Sequence, residues 1–179
     1  MFSKSLIAVA LSAISQVHAA DSIPEIQRFY SFSPTLAISG QPKRGQFAAL
    51  AKGGYKVVIN VASPDSNPDA FRDEKQLVEA AGMAYYFIPL SWETPDVNQV
   101  ASAVKLLKQL EGQSTLVHCY IGSRASLVAY LYRITYANAP EKDEKLTLER
   151  LWNLNRGYEF QNSAQWQFAL DDAQALLKK

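Results

Sequence analysis

The stretch Ser114-Thr-Leu-Val-His-Cys-Tyr-Ile-Gly-Ser-Arg-Ala-Ser-Leu-Val-Ala-Tyr-Leu-Tyr-Arg-Ile-Thr-Tyr136 decides how the rest of the chain is read. Its first five residues form an apolar run that reads as a buried strand. From Arg124 onward, Leu127, Leu131 and Ile134 recur at helical spacing. Cys119 stands where the strand ends, before a short turn containing Gly122. It is the only cysteine of the 179 residues, and His118 is the only histidine beyond residue 20. A strand that feeds a glycine turn and a helix N-terminus can hold an anion, and its converging N–H groups favour a thiolate.

Working outward, β and α patterns alternate. Residues 36–39 read as a short strand. Pro42 opens a helix through Phe47, Leu50 and Ala51 that stops at Gly53-Gly54. Residues 55–61 form a β-branched strand, followed by the polar loop 63–68. A helix over 71–81 closes at Gly82, and 83–90 reads as a third central strand interrupted by Pro89. Asp96 is placed to cap a helix carrying Val97, Val100, Val104, Leu107 and Leu110 on one face. Two more helices are predicted at about 140–155 and at 163–177. Strands separated by helices predict an α/β fold. The sheet should be central and mainly parallel, of four to five strands, with helices on both faces. Ligands in such folds bind beyond the carboxyl ends of the strands, where Cys119 lies.

With 48% apolar and 20% charged residues, the chain has the composition of a globular protein of about one domain. Residues 1–20 read as a cleaved secretory signal peptide. Lys4 supplies a positive start, 6–14 an apolar centre, and Val17-His18-Ala19-Ala20 a small-residue cleavage site. That leaves 21–179 as a single domain, in a bacterial periplasm or outside the cell. Lys4 is the only Lys, Arg, Asp or Glu in that segment, so the formal charge of +1 falls to zero on its removal. This argues against nucleic acid or an acidic membrane surface as a partner. No later apolar run is long enough to span a bilayer. A lone cysteine in an oxidising compartment has no internal disulfide partner, so it reads as a reactive or a shielded thiol.

The chemistry follows from the loop. A free thiol is mostly protonated near neutral pH. A helix N-terminus and a nearby guanidinium favour its anion. Gly122 permits backbone geometry that a side chain obstructs. Arg124 can grip two oxygens of a phosphate in a bidentate fork. Together these suit phosphoryl transfer through a phosphocysteine at Cys119. Tyr120, Ile121, Gly122, Ser123, Arg124 and Ser126 are the expected substrate-binding residues. His118 points away from substrate and is expected to support the backbone around the cysteine. One Cys and one His cannot complete a zinc site, and no metal or cofactor is expected.

The loop resembles the signature of the cysteine-dependent protein tyrosine and dual-specificity phosphatases, His-Cys followed by five residues, Arg and Ser or Thr. Here only four residues separate Cys119 from Arg124. That spacing resembles a bacterial branch, the beta-lactamase-hydrolase-like putative phosphatases. Similar segments include Ile38-Ser-Gly-Gln-Pro42, Leu50 to Asn60, Ala81-Gly82 and Ile88-Pro89, so the resemblance spans about residues 36–135. It implies a dual-specificity-phosphatase-like fold and a phosphorylated small molecule or protein as substrate. Two departures stand out. Ala125 replaces the hydroxyl residue expected after the Arg, with Ser126 one place later. Val61-Ala62 stands where a basic residue is expected.

The resemblance also implies a general acid on the loop Ser91-Trp-Glu-Thr-Pro-Asp96. Glu93 and Asp96 are the catalytic candidates, with Glu93 preferred because Asp96 also reads as a helix cap. Asp65 is a third candidate. Trp92 reads equally as a pocket wall or as packing. Two further readings stay open: a rhodanese-like sulfurtransferase, which also uses a cysteine before a short anion-binding loop, and a non-catalytic phosphate- or sulfate-binding relative. No pattern in the sequence specifies an oligomeric state.

Overall fold

The computed structural model describes residues 25–64, 72–154 and 157–179. Residues 1–20, expected to be a signal peptide, and Asp65, the third acid candidate, lie outside them. Five strands form one sheet: β1 (Tyr30–Ser33), β2 (Leu36–Ser39), β3 (Val57–Ala62), β4 (Ala84–Leu90) and β5 (Thr115–His118). Their spatial order is β1-β2-β5-β3-β4. The β2-β5-β3-β4 block is parallel, and β1 is added antiparallel to β2. Among the described residues, six α-helices connect and cover the sheet: α1 (Gln46–Lys52), α2 (Glu74–Ala80), α3 (Val97–Gln109), α4 (Ser123–Tyr136), α5 (Glu141–Asn153) and α6 (Ala164–Leu177).

Alternation along the strands explains the two layers. Leu36, Ile38, Val57, Ile59 and Val117 face a large core with α3, α4, α5 and α6. Ala37, Val58 and Leu116 face a smaller one with Phe47 and Leu50 of α1 and Val78 of α2. Every residue of β3 and β5 is buried, as expected for strands covered on both faces. By the same alternation His118 and Asn60 point to the α1–α2 side, and Cys119 joins the α4 core. In register, Ser39 and Asn60 flank His118, which gathers three parallel strand ends at one point.

Two expectations are corrected. Residues 84–90 form an edge strand, not a central one. That is why Tyr86 and Phe87 are exposed there. It is also why Pro89 is tolerated, since it falls in a register shift opposite Val61 near the strand end. The antiparallel β1 was not foreseen. At four residues its Tyr-Ser-Phe-Ser alternation is too short to stand out, and Pro34 follows at once.

Candidate active site

The loop 119–122 leaves the carboxyl end of β5 and enters α4. Gly122 occupies the N-cap with φ +93°. This left-handed geometry turns its N–H onto Cys119 Sγ at 3.1 Å. A Cβ at Gly122 would crowd Arg28 Cβ at 3.3 Å, but it is the positive φ that calls for glycine here. The segment after β2 braces the loop. Cys119 N donates to the Ser39 carbonyl, and Gln41 N donates to the Tyr120 carbonyl at 3.0 Å. Cys119 itself is fully buried.

Arg124 lies in the first turn of α4 and is 2% exposed. Its Nη1 donates to the Leu90 carbonyl at 2.7 Å and to Ser63 Oγ at 3.1 Å. The guanidinium is therefore held between the ends of β4 and β3. A cavity of about 290 Å³ opens here. Tyr120, Ile121 and Arg124 line it together with Ser63, Ser91, Trp92, Glu93 and Tyr158.

The two acid candidates separate. Glu93 lines the cavity, and Asp96 does not. Asp96 Oδ1 accepts the Asn98 N–H at 2.8 Å and caps α3. Trp92 has both of its proposed roles. It borders the cavity, stacks on Trp152 at 5.8 Å, and meets Tyr158 and Trp166 edge-on or tilted. Its carbonyl accepts the Trp166 indole N–H at 3.0 Å. Ser126 Oγ donates to the Ser123 carbonyl at 2.7 Å, one turn back in α4, rather than to Cys119. Ser123 is buried at the start of the same helix.

His118 does not support loop backbone through its ring, as expected from sequence. Its Nε2 pairs with Glu74 Oε1 at 2.9 Å, with both side chains almost wholly buried. Gln41 Nε2 donates to Glu74 Oε2 at 2.6 Å, and Asn60 Nδ2 to Oε1 at 2.9 Å. Burial would raise the Glu74 carboxyl, but His118, Gln41 and Tyr85 outweigh it and hold the group below its ordinary range. Sequence reasoning missed Glu74, Asn60, Gln41 and Ser63. They come from separate segments, and only the closeness of Asn60 and Ser63 to the end of β3 hinted at a strand-end role. Among the described residues, no group of three or more His, Cys, Asp and Glu is placed to hold a metal ion.

Comparison with known proteins agrees with this arrangement. No family model matches the chain. The beta-lactamase hydrolase-like protein of Xylella fastidiosa (strain 9a5c) is 30% identical over 109 residues, 60% of this chain and 25% of that protein. The chain thus spans about a quarter of the length of the curated relatives it matches. A crystal structure described as "Putative phosphatase (DUF442)" from Shewanella putrefaciens CN-32 is 35% identical. It matches 88% of this chain and 97% of its own, with a TM-score of 0.73. The TpbA protein of P. aeruginosa, as a cysteine-to-serine variant in complex with phosphotyrosine, matches 85% of this chain and 91% of its own. At 19% identity and a TM-score of 0.62 that likeness concerns the fold. The match to the Shewanella protein, 35% identical and covered over 97% of its length, means that the chain belongs to the DUF442 family.

Proposed function

We propose that the protein is a secreted or periplasmic phosphatase that hydrolyses phosphomonoesters through a phosphocysteine at Cys119. The observation that carries this reading is the Gly122 N–H at 3.1 Å from Cys119 Sγ, with the buried Arg124 guanidinium at the other end of the same short loop. The N–H and the helix N-terminus favour the thiolate and the phosphoryl oxygens alike.

In the forward step Cys119 Sγ attacks phosphorus, and the bond from phosphorus to the leaving oxygen breaks. Glu93, on the cavity wall, gives that oxygen its proton. In the second step water attacks the phosphocysteine, Glu93 takes the water's proton, and the S–P bond breaks to return the thiolate and release phosphate. Arg124 and the loop N–H groups hold the three equatorial oxygens throughout. The lining favours an aromatic leaving group. Trp92, Tyr120 and Tyr158 supply ring surface, and Arg124 is the cation among the described lining residues.

A second reading, a phosphate-binding relative with slow turnover, has one observation in its favour. The Ser126 hydroxyl is committed to the Ser123 carbonyl, so the hydroxyl that would help the thiolate leave is turned elsewhere. Rapid mixing with an aryl phosphate separates the two. Steady turnover that Cys119→Ser abolishes supports the phosphatase. A stoichiometric burst with negligible steady rate, or phosphate binding without any burst, supports the second reading. Transfer of sulfur from thiosulfate to cyanide would sink both. The localisation is tested by sequencing the N-terminus of the protein recovered from bacterial periplasm or medium, where the chain should begin within a residue or two of position 20.

A further inference from the structure

Residues 26–29, just before β1, lie against the loop that carries Cys119. Ile26 is buried in the smaller core, and Phe29 meets Tyr55 edge-on at 6.3 Å. Between them the Gln27 carbonyl accepts the Gly40 N–H at 2.7 Å, and Phe29 N donates back to the Ile26 carbonyl at 3.1 Å. Pinned on both sides, Arg28 takes φ +58°. L side chains rarely adopt that left-handed conformation, and a long residue holds it only where its surroundings over-determine it. Its Cβ is set against Gly122, 3.3 Å from where a Cβ on that glycine would stand. From there the side chain runs to the end of α5, where Nη2 donates to the Leu154 carbonyl at 2.5 Å. A guanidinium at a helix C-terminus meets both the last carbonyls and the negative end of the helix dipole.

Leu154 stands at the root of the segment that carries Tyr158. Tyr158 lines the cavity, is 50% exposed, and meets Trp92 edge-on at 5.5 Å. Beyond it, Phe160 N donates to Asn153 Oδ1 at 3.0 Å. A half-exposed ring on such a segment keeps its place only as well as the two ends of the segment are held. Arg28 holds the first end, and it does so from a backbone packed on Gly122. The loop side of the cavity, with Tyr120, Ile121 and Arg124, is thereby tied to the Tyr158 side by a residue that does not itself line the cavity. We infer that Arg28 is a positioning residue for substrate selection: its bridge from Gly122 to Leu154 sets Tyr158 against the Cys119 loop at the spacing that accepts the aryl group of a phosphomonoester. This rests on reading the cavity as a site for aryl phosphates, but the bridge itself can be measured without substrate.

Arg28→Asn removes the long side chain but keeps the turn, because asparagine tolerates left-handed backbone. Hydrogen exchange at the amides of 157–160 should then be about tenfold faster than in the wild type. Phenylphosphonate and methylphosphonate, which cannot be hydrolysed, separate ring contact from phosphoryl contact. Phenylphosphonate should bind about three- to tenfold more weakly, the worth of one aromatic contact, and methylphosphonate within about twofold of wild type. Arg28→Lys, which can still reach a carbonyl, should recover most of both effects. Tyr158→Ala should weaken phenylphosphonate to a similar extent, and adding Arg28→Asn to it should change little further. In folded Arg28→Asn, unchanged exchange or unchanged phenylphosphonate affinity overturns the inference. So does an equal loss for both phosphonates, which would place the effect on the phosphoryl-binding loop, and so does a full further loss in the double variant. If Arg28→Asn fails to fold by circular dichroism, Arg28→Gly, for which φ +58° carries no strain, takes its place with the same outcomes. Faster exchange in the variant of a protein that binds neither phosphonate would leave the bridge standing and remove the phosphatase reading instead.

Discussion

The guanidinium of Arg124 lies 5.9 Å from the centre of the Trp92 ring. That contact joins two parts of the chain with different origins. Arg124 belongs to the strand–turn–helix unit around Cys119. Trp92 is held by Trp152, Tyr158 and Trp166, which all come from the last thirty residues or so. The C-terminal helices are therefore part of the site. They set the wall beside which Arg124 rests, and they hold the loop that carries Glu93.

Arg124→Lys should lower kcat/KM for an aryl phosphate by about 10²-fold, since a lost charge-assisted hydrogen bond is worth about 2–3 kcal/mol. A lysine keeps the charge but cannot donate to Leu90, Ser63 and two phosphoryl oxygens from one plane. Phosphate inhibition should weaken in parallel. A variant with near-wild-type kcat/KM would remove the bidentate role.

Trp166→Phe tests the link from the C-terminal helix. It keeps most of the ring packing but deletes the indole N–H that donates to the Trp92 carbonyl. The half-buried carbonyl would then keep only the longer 3.5 Å contact from Gln165 Nε2, and stability should fall by about 1 kcal/mol in urea unfolding. The loop with Glu93 should also loosen, so kcat should fall more for a poor leaving group than for a good one, with KM changing less. Equal effects on both leaving groups would confine Trp166 to packing.

The sequence displays the parts of this site that lie within a few residues of each other. Cys119, Gly122 and Arg124 share one strand–turn–helix unit, so their nearness is readable from local sequence. Asp96 was legible as a cap because its Pro-Asp context and the apolar period after it are local signals. Other features were hidden for a physical reason. Glu74 looks like any acidic residue in a first helical turn until α2 folds over the sheet and carries it to His118, 44 residues away. Ser63 reads as loop polarity until Arg124 reaches it across 61 residues. The edge position of β4 was equally invisible, because strand order in a parallel sheet is set by crossovers rather than by the strand's own pattern.

Glu74 should leave a mark on stability as a function of pH. Its folded-state value lies below the ordinary 4.5 of a glutamate. The stabilisation is therefore fully present above that value and is lost as pH falls through the lower, folded one. The stability difference between wild type and Glu74→Gln should be about 1–3 kcal/mol near neutral pH, the range for hydrogen bonds to a charged group. It should shrink steadily once the pH drops below 4.5. Urea unfolding of both proteins across that range measures it. A difference that grows towards acid would contradict a depressed carboxyl.

Glu93 and Asp96 sit three residues apart, and their surroundings predict opposite phenotypes. Glu93 borders the cavity, and replacing it by Gln removes a proton donor without changing shape. For a leaving group that needs protonation, kcat should fall by about 10²- to 10⁴-fold, the range for general acid catalysis. For an activated aryl phosphate, whose leaving oxygen is stable as an anion, it should change little. Asp96→Ala should do the reverse. The lost cap to the Asn98 N–H should cost about 1 kcal/mol of stability, with turnover of either substrate near wild type at temperatures where the protein stays folded. Asp96→Asn should restore the stability, because an asparagine oxygen can accept the same N–H. Asp96→Asn with the leaving-group dependence expected of Glu93→Gln would transfer the acid role to Asp96. The loop would then have to release Asp96 from the helix end each time it served a substrate, a motion that Glu93 does not need.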